Sequence, residues 1–291
     1  MIDLNLEKLN QRTISTSIEI NGVGLHTGIQ VNMKLEPARE DTGIKFYRSD
    51  IPGSNSIVAS WLNVTSTNLS TSISNQFGNT VSTIEHLMSA LSGLHIDNLK
   101  IYLSTQEVPI MDGSSKPFVE IIESNGIKVQ NKKRKILKVK KEVYVSNDDS
   151  FAKLLPNKQF SIDFEIDFPS PLISKQSCQL QLVNGNYKTD IASARTFGFE
   201  KDVDLLRSNG FALGGSLENA VVVGHNKILN KEGLRYKDEF VRHKILDSIG
   251  DLYLAESPIQ GYFYGNKSGH YLNNELLKKL FSDKSNYEYV N

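Results

Sequence analysis

Apolar and polar residues alternate over residues 13–20 and again over 29–35, the period of strands buried on one face. The turn between them carries Gly22, Gly24 and Gly28. A phosphate-cradling loop would lead into a helix N-terminus, whereas Ile29, Val31, Met33 and Leu35 continue as a strand. A hairpin turn is therefore preferred over a nucleotide loop. The period changes over residues 82–94, where Ile84, Leu87, Met88, Leu91 and Leu94 fall at helical spacing. Residues 98–103 read as a buried strand and 109–115 as a turn around Asp112 and Gly113. A helix through Phe118, Ile121 and Ile122 follows.

The second half repeats this order. Strands are expected at 136–145 and 160–168, a long helix at 238–255, a strand at 261–264 and a last helix at 273–281. His86 and Gly93 are seven residues apart, as are His243 and Gly250 on the equivalent helix of the second half. The pattern predicts an α+β protein of two domains, and the matched pairs are a faint sign of duplication. The expected domains are 1–130 and 131–291. Near the join, Lys132, Lys133, Arg134, Lys135, Lys138, Lys140 and Lys141 crowd together without interleaved aromatics. A solvated linker running into a charge-protected edge strand is preferred here over a patch for nucleic acid or acidic lipid.

Composition supports that choice. Lys plus Arg and Asp plus Glu both total 33, so the formal net charge is zero and no polyanion partner is expected. At 39% hydrophobic and 23% charged, the 291 residues suit a soluble globular protein with a sizeable core. Cys178 is the single cysteine, which excludes an internal disulfide and a thiolate-rich metal site. The first ten residues lack the apolar centre of a signal peptide, and no apolar run approaches the ~18 residues that span a bilayer. A cytoplasmic protein is expected.

Chemistry is concentrated in three places. His243, Asp247 and Asp251 follow one another at four-residue spacing, so they stack along one face of an otherwise apolar helix. Such a polar stripe is costly unless its members pair with one another or bind a metal, and the spacing suits either. Glu85 and His86 open the first long helix, where a carboxylate beside an imidazole suits a metallohydrolase. Glu85 equally suits a first-turn carboxylate favoured by the helix dipole. The common H-E-x-x-H pattern is absent, since Ala90 stands four residues after His86. Finally, Lys267-Ser268-Gly269-His270 follows a strand directly, where a histidine either points into a cleft or sits on the surface.

Several stretches together resemble one family: GVGLHTG at 22–28, STIEHL at 82–87, GLHIDN at 93–98, VPIMDGS at 108–114 and ARTFGF at 194–199. DEFVRHKILD at 238–247, IGDL at 249–252 and KSGH at 267–270 complete the set, in family order over nearly the whole chain. The chain is thereby identified as similar to the zinc-dependent UDP-3-O-acyl-N-acetylglucosamine deacetylases of lipid A biosynthesis.

The resemblance implies two similar two-layer α/β sandwich domains related by duplication, with the active site between them. It also implies one zinc held by His86, His243 and Asp247, with a fourth position left for water and iron(II) as the alternative ion. It implies Glu85 as general base and His270 as general acid, with Asp251 orienting His270 and holding it protonated. Thr196 matches the hydroxyl that donates to the developing oxyanion. Phe197, Asp202, Lys244 and Lys267 fall at sugar or diphosphate contacts, and Asp167 and Phe168 at the uridine. The segment 199–229 is expected to take the acyl chain. Ser70 and Ser150 depart from the family, where a cysteine near the metal and a lysine near the nucleotide occur, and His95 reads as structural. A monomer is expected, without a fused dehydratase domain after Asn291. Two other readings remain: a zinc amidase or peptidase on another substrate, and a non-enzymatic sugar-nucleotide binding protein with a structural metal.

Overall fold

Two five-stranded sheets organise the chain in a computed structural model that describes residues 10–182 and 185–291. The reading of residues 1–9 lies outside this description. In the first sheet, Ile18–Val23 pairs with Gln30–Pro37, which pairs with Leu99–Leu103 at the centre. Ile44–Arg48 lies parallel to that central strand, and Ile57–Val58 closes the edge. Alternation explains the packing: Val31, Met33 and Leu35 are buried while Gln30 and Asn32 are exposed.

The second sheet has the same order and the same directions. Val143–Asn147 pairs with Ser150–Leu155, which pairs with the central Tyr262–Asn266. Ser161–Phe168 runs parallel to the centre, and Ser174–Gln181 forms the far edge. In both sheets the member that comes last in chain order takes the central place.

Six α-helices complete the described residues: α1 (Glu85–Gly93), α2 (Lys116–Asn125), α3 (Tyr187–Asp190), α4 (Val203–Ser208), α5 (Glu239–Leu252) and α6 (His270–Phe281). The chain is thus an α+β protein. α5 lies on Ser161–Phe168 and Ser174–Gln181, and α6 on Val143–Asn147 and Ser150–Leu155. α1 packs along α5, which places Glu85 and His86 beside the polar stripe of the longer helix.

Gly250 makes that approach close. A Cβ there would overlap the Glu85 carbonyl oxygen and lie 2.9 Å from its carbon. A backbone atom in a packed helix pair has little room to yield. Gly250→Ala is expected to lower the unfolding free energy by about 1–3 kcal/mol, the usual cost of overpacking. Urea denaturation checks this, and an unchanged midpoint would show that the helices separate freely.

The basic stretch is more structured than a solvated linker. Ile127–Lys133 is a strand antiparallel to Asn10–Ile14, running across the expected boundary at residue 130. Arg134 is 1% exposed, with its Nε 2.7 Å from Asp97 Oδ1. A buried acidic partner far away in sequence is invisible to local charge counting, which is why this arginine resembled its solvated neighbours. The expected strand over 136–145 is also two strands, Ile136–Val139 and Val143–Asn147. Likewise 13–20 is split between Asn10–Ile14 and Ile18–Val23.

Candidate metal centre and active-site cleft

α5 is buried along nearly its full length, so its polar residues need partners from within the protein. His243, Asp247 and Asp251 share one face, as four-residue spacing dictates, and α1 brings His86 against them. Asp247 Oδ1 lies 3.3 Å from His243 Nε2 and 3.5 Å from His86 Nε2. The three side chains offer ligand atoms that all fall within 4.8 Å of one another.

Four features of this group fit a divalent cation. Asp247 Oδ1 is buried without a hydrogen-bond partner, while its Oδ2 accepts from Lys244 Nζ at 2.8 Å. The Ala194 carbonyl lies 3.1 Å from His243 Nδ1; a proton held there leaves the Nε2 lone pair facing Asp247. Burial pushes the His243 pKa down to about 3 against the opposing pull of Asp247, so the ring is the neutral form that ligates. Burial would raise Asp247, but the Lys244 ammonium and the His270 cation oppose it, and the carboxyl is held well below its ordinary range. Two imidazoles and a carboxylate are a typical nitrogen and oxygen donor set for a catalytic zinc.

Glu85 and His270 face each other beside this group, with His270 Nε2 3.9 Å from Glu85 Oε1. Glu85 is buried, which raises its pKa against the opposing effects of His270 and His86. Its Oε2 accepts the Thr71 amide at 3.0 Å. Burial alone would lower His270, but the Asp251 carboxylate 2.8 Å from Nδ1, joined by Glu85 and Asp247, raises it to about 9. Asp251 is outside the cleft lining and touches His270, the contact that the resemblance implies.

The cleft is lined by Glu85, His86, His243, Asp247, His270, Lys244, Thr196, Phe168, Phe197 and Phe199, with Leu25, His26, Leu69 and Thr83. Thr196 is fixed through its backbone, donating to Gly113 and accepting from Val221, each at 2.8 Å. The ring of Phe197 packs on Phe168 at 5.6 Å and on Phe240 at 4.9 Å. Lys267 lies 2.7 Å from Asp149 and 3.8 Å from Asp167, a charged group outside the cleft lining. Lys244 is anchored on Asp247 rather than pointing free. Asp202 ends a short turn ahead of α4 and is not among the lining residues.

Two buried partners escaped the sequence reading. Thr71 donates its hydroxyl to Asp251 Oδ1 at 2.6 Å, and Asn273 donates to Asp251 Oδ2 at 2.8 Å. Asn273 had a signal, because it shares a helix face with Leu276, Leu277 and Leu280, and a polar residue in an apolar stripe needs a partner. Thr71 had none, standing in an irregular stretch of serines and threonines.

Known proteins resemble the chain over nearly its whole length. A family model described as UDP-3-O-acyl N-acetylglycosamine deacetylase matches residues 11–282. Proteins named UDP-3-O-acyl-N-acetylglucosamine deacetylase from Psychrobacter cryohalolentis and Psychrobacter arcticus are each 49% identical over 285 residues, covering 97% of this chain and 88% of theirs. One of the same name from Syntrophus aciditrophicus is 48% identical over 277 residues, covering 95% of this chain and 88% of its own. The chain therefore belongs to the UDP-3-O-acyl-N-acetylglucosamine deacetylase family.

Proposed function

We propose that the chain removes the N-acetyl group from UDP-3-O-(3-hydroxyacyl)-N-acetylglucosamine, an early committed step of lipid A biosynthesis that yields acetate and the free amine. The observation that carries this is the convergence of a buried His–His–Asp group with a facing carboxylate and imidazole in one cleft. One zinc is assigned to His86, His243 and Asp247, with iron(II) as the alternative ion. Bound there, the metal supplies Lewis acidity that polarises the amide carbonyl and renders water acidic enough to react near neutral pH.

The remaining steps belong to side chains. Glu85 takes the proton of the attacking water at Oε1, since Oε2 is occupied by the Thr71 amide. Thr196 donates its hydroxyl to the oxygen that gains charge as the carbonyl becomes tetrahedral. His270, cationic through Asp251, gives the Nε2 proton to the departing amine nitrogen as the C–N bond breaks. Proton loss from Glu85 and proton gain by His270 reset the site.

Substrate contacts are assigned from the family motifs together with position. Phe168 and Phe197 stand at the cleft, and Lys267 with Asp167 forms the charged group beyond it; the diphosphate and uridine are assigned to these residues on the family motifs. Lys244 serves the substrate from its anchored place beside Asp247. Asp202 rests on the resemblance alone. The acyl chain is assigned to segment 199–229, and the domains to 1–130, carrying Glu85 and His86, and 131–291, carrying the other groups. A working monomer is assigned from the family resemblance. A cytoplasmic location fits a nucleotide-sugar substrate and a lone buried thiol, Cys178; among the described residues no helix is long and apolar enough to cross a membrane.

The test is acetate release from this nucleotide sugar by purified protein, beside chelator-treated and zinc-restored samples. Activity should vanish on chelation and return with zinc, while the fold persists because Lys244 still offsets Asp247. Zinc-loaded protein that releases no acetate would refute the substrate assignment. Failure to bind one equivalent of metal would refute the ligand set.

A further inference from the structure

We propose that Thr71 is a positioning residue that ties the base of the site to its acid. The inference rests on the assignment of those roles to Glu85 and His270 above. Thr71 is 2% exposed and belongs to neither helix. Its backbone amide donates to Glu85 Oε2 at 3.0 Å, and its hydroxyl donates to Asp251 Oδ1 at 2.6 Å. Its carbonyl accepts from the Ile84 amide at 3.4 Å, the residue that caps α1 just before Glu85. All three polar groups of one residue thus point to the neighbourhood of the two proton carriers.

The contacts close a ring. From Glu85 Oε2 it passes through Thr71 to Asp251 Oδ1, then from Asp251 Oδ2 to His270 Nδ1 at 2.8 Å. The gap of 3.9 Å between His270 Nε2 and Glu85 Oε1 completes it. Oδ2 of Asp251 is also held by Asn273 at 2.8 Å, so Oδ1 depends on Thr71. Removing that hydroxyl leaves a buried carboxylate oxygen short of a donor, which the group relieves by rotating. Rotation carries Oδ2 away from Nδ1 and turns the imidazole relative to Glu85. The amide arm fixes which carboxylate oxygen of Glu85 remains open, and the hydroxyl arm fixes where the acid stands against it.

Valine keeps the shape and the amide of Thr71 and deletes only the hydroxyl; serine keeps the hydroxyl. In the zinc-loaded protein, Thr71→Val is expected to lower kcat roughly 10–100-fold, the usual loss when a supporting partner of a catalytic site is removed. KM should stay unchanged, since the lost contact acts on the transition state. Thr71→Ser should recover most of the activity. Metal content and thermal midpoint are measured alongside, and proton NMR follows the hydrogen-bonded Nδ1 proton of His270. That resonance should persist in Thr71→Ser and disappear or shift upfield in Thr71→Val. Unchanged kcat in the valine variant, or a serine variant as slow as valine, overturns the proposal. If wild-type protein shows no deacetylation, the functional reading fails, and the Nδ1 proton still decides: its persistence in Thr71→Val refutes the role, its selective loss supports it.

Discussion

Glu85→Ala is expected to lower kcat by roughly 10²–10⁴-fold, the range for losing a positioned general base, while the protein still takes up one equivalent of metal. The two outcomes separate because Glu85 lies outside the group formed by His86, His243 and Asp247. Its Oε1 faces His270 Nε2 across 3.9 Å, which leaves that oxygen to a substrate water. Burial also raises its pKa, which strengthens it as a base relative to an ordinary carboxylate. Alanine leaves a small void at a buried position, so Glu85→Gln is the sharper companion. Glutamine fills the space and can still accept the Thr71 amide, yet it cannot take a proton. Both variants should show the same loss. Steady-state kinetics with metal analysis decides the matter: either variant within tenfold of wild type at full metal occupancy would remove Glu85 from the base role.

How much of this was legible beforehand depended on whether the cause was local. The helical period over residues 82–94 and the stripe at His243, Asp247 and Asp251 are short-range patterns, and α1 and α5 contain them. The strand alternation of 29–35 became Gln30–Pro37 for the same reason. Strands that were not anticipated, such as Ile44–Arg48 and Ser174–Gln181, are stabilised by pairing with segments distant in sequence. Arg134 repeats that lesson for charge, because Asp97 rather than composition determines its burial. At the site, motif resemblance supplied the titratable groups but not the hydroxyl and amide that orient them. Thr71 meets Asp251 from 180 residues away, a contact that only the tertiary fold creates.

The contact with Asp251 also determines what pH should do to the acid. His270 has a pKa raised to about 9, with burial opposing and Asp251 supplying the largest upward effect. Its role requires the cation, which is present below that value, so kcat/KM should fall as pH rises through about 9. The same shift stabilises the fold below the ordinary histidine value of 6.5, a contribution lost as pH climbs through about 9. Asp251→Asn deletes the leading upward cause and leaves burial less opposed, so the alkaline limb should move toward acid by more than one pH unit, a displacement worth about 1.4 kcal/mol per unit. His270→Gln should lose roughly 10²–10⁴-fold in kcat and lack that limb altogether. Profiles of kcat/KM against pH for the three proteins test the sign directly. If Asp251→Asn leaves the alkaline limb in place, the titrating group is not His270, and the proton for the departing amine must come from elsewhere in the cleft. A limb that moves as stated while metal content holds steady ties the acid to the carboxylate that Thr71 and Asn273 keep in place.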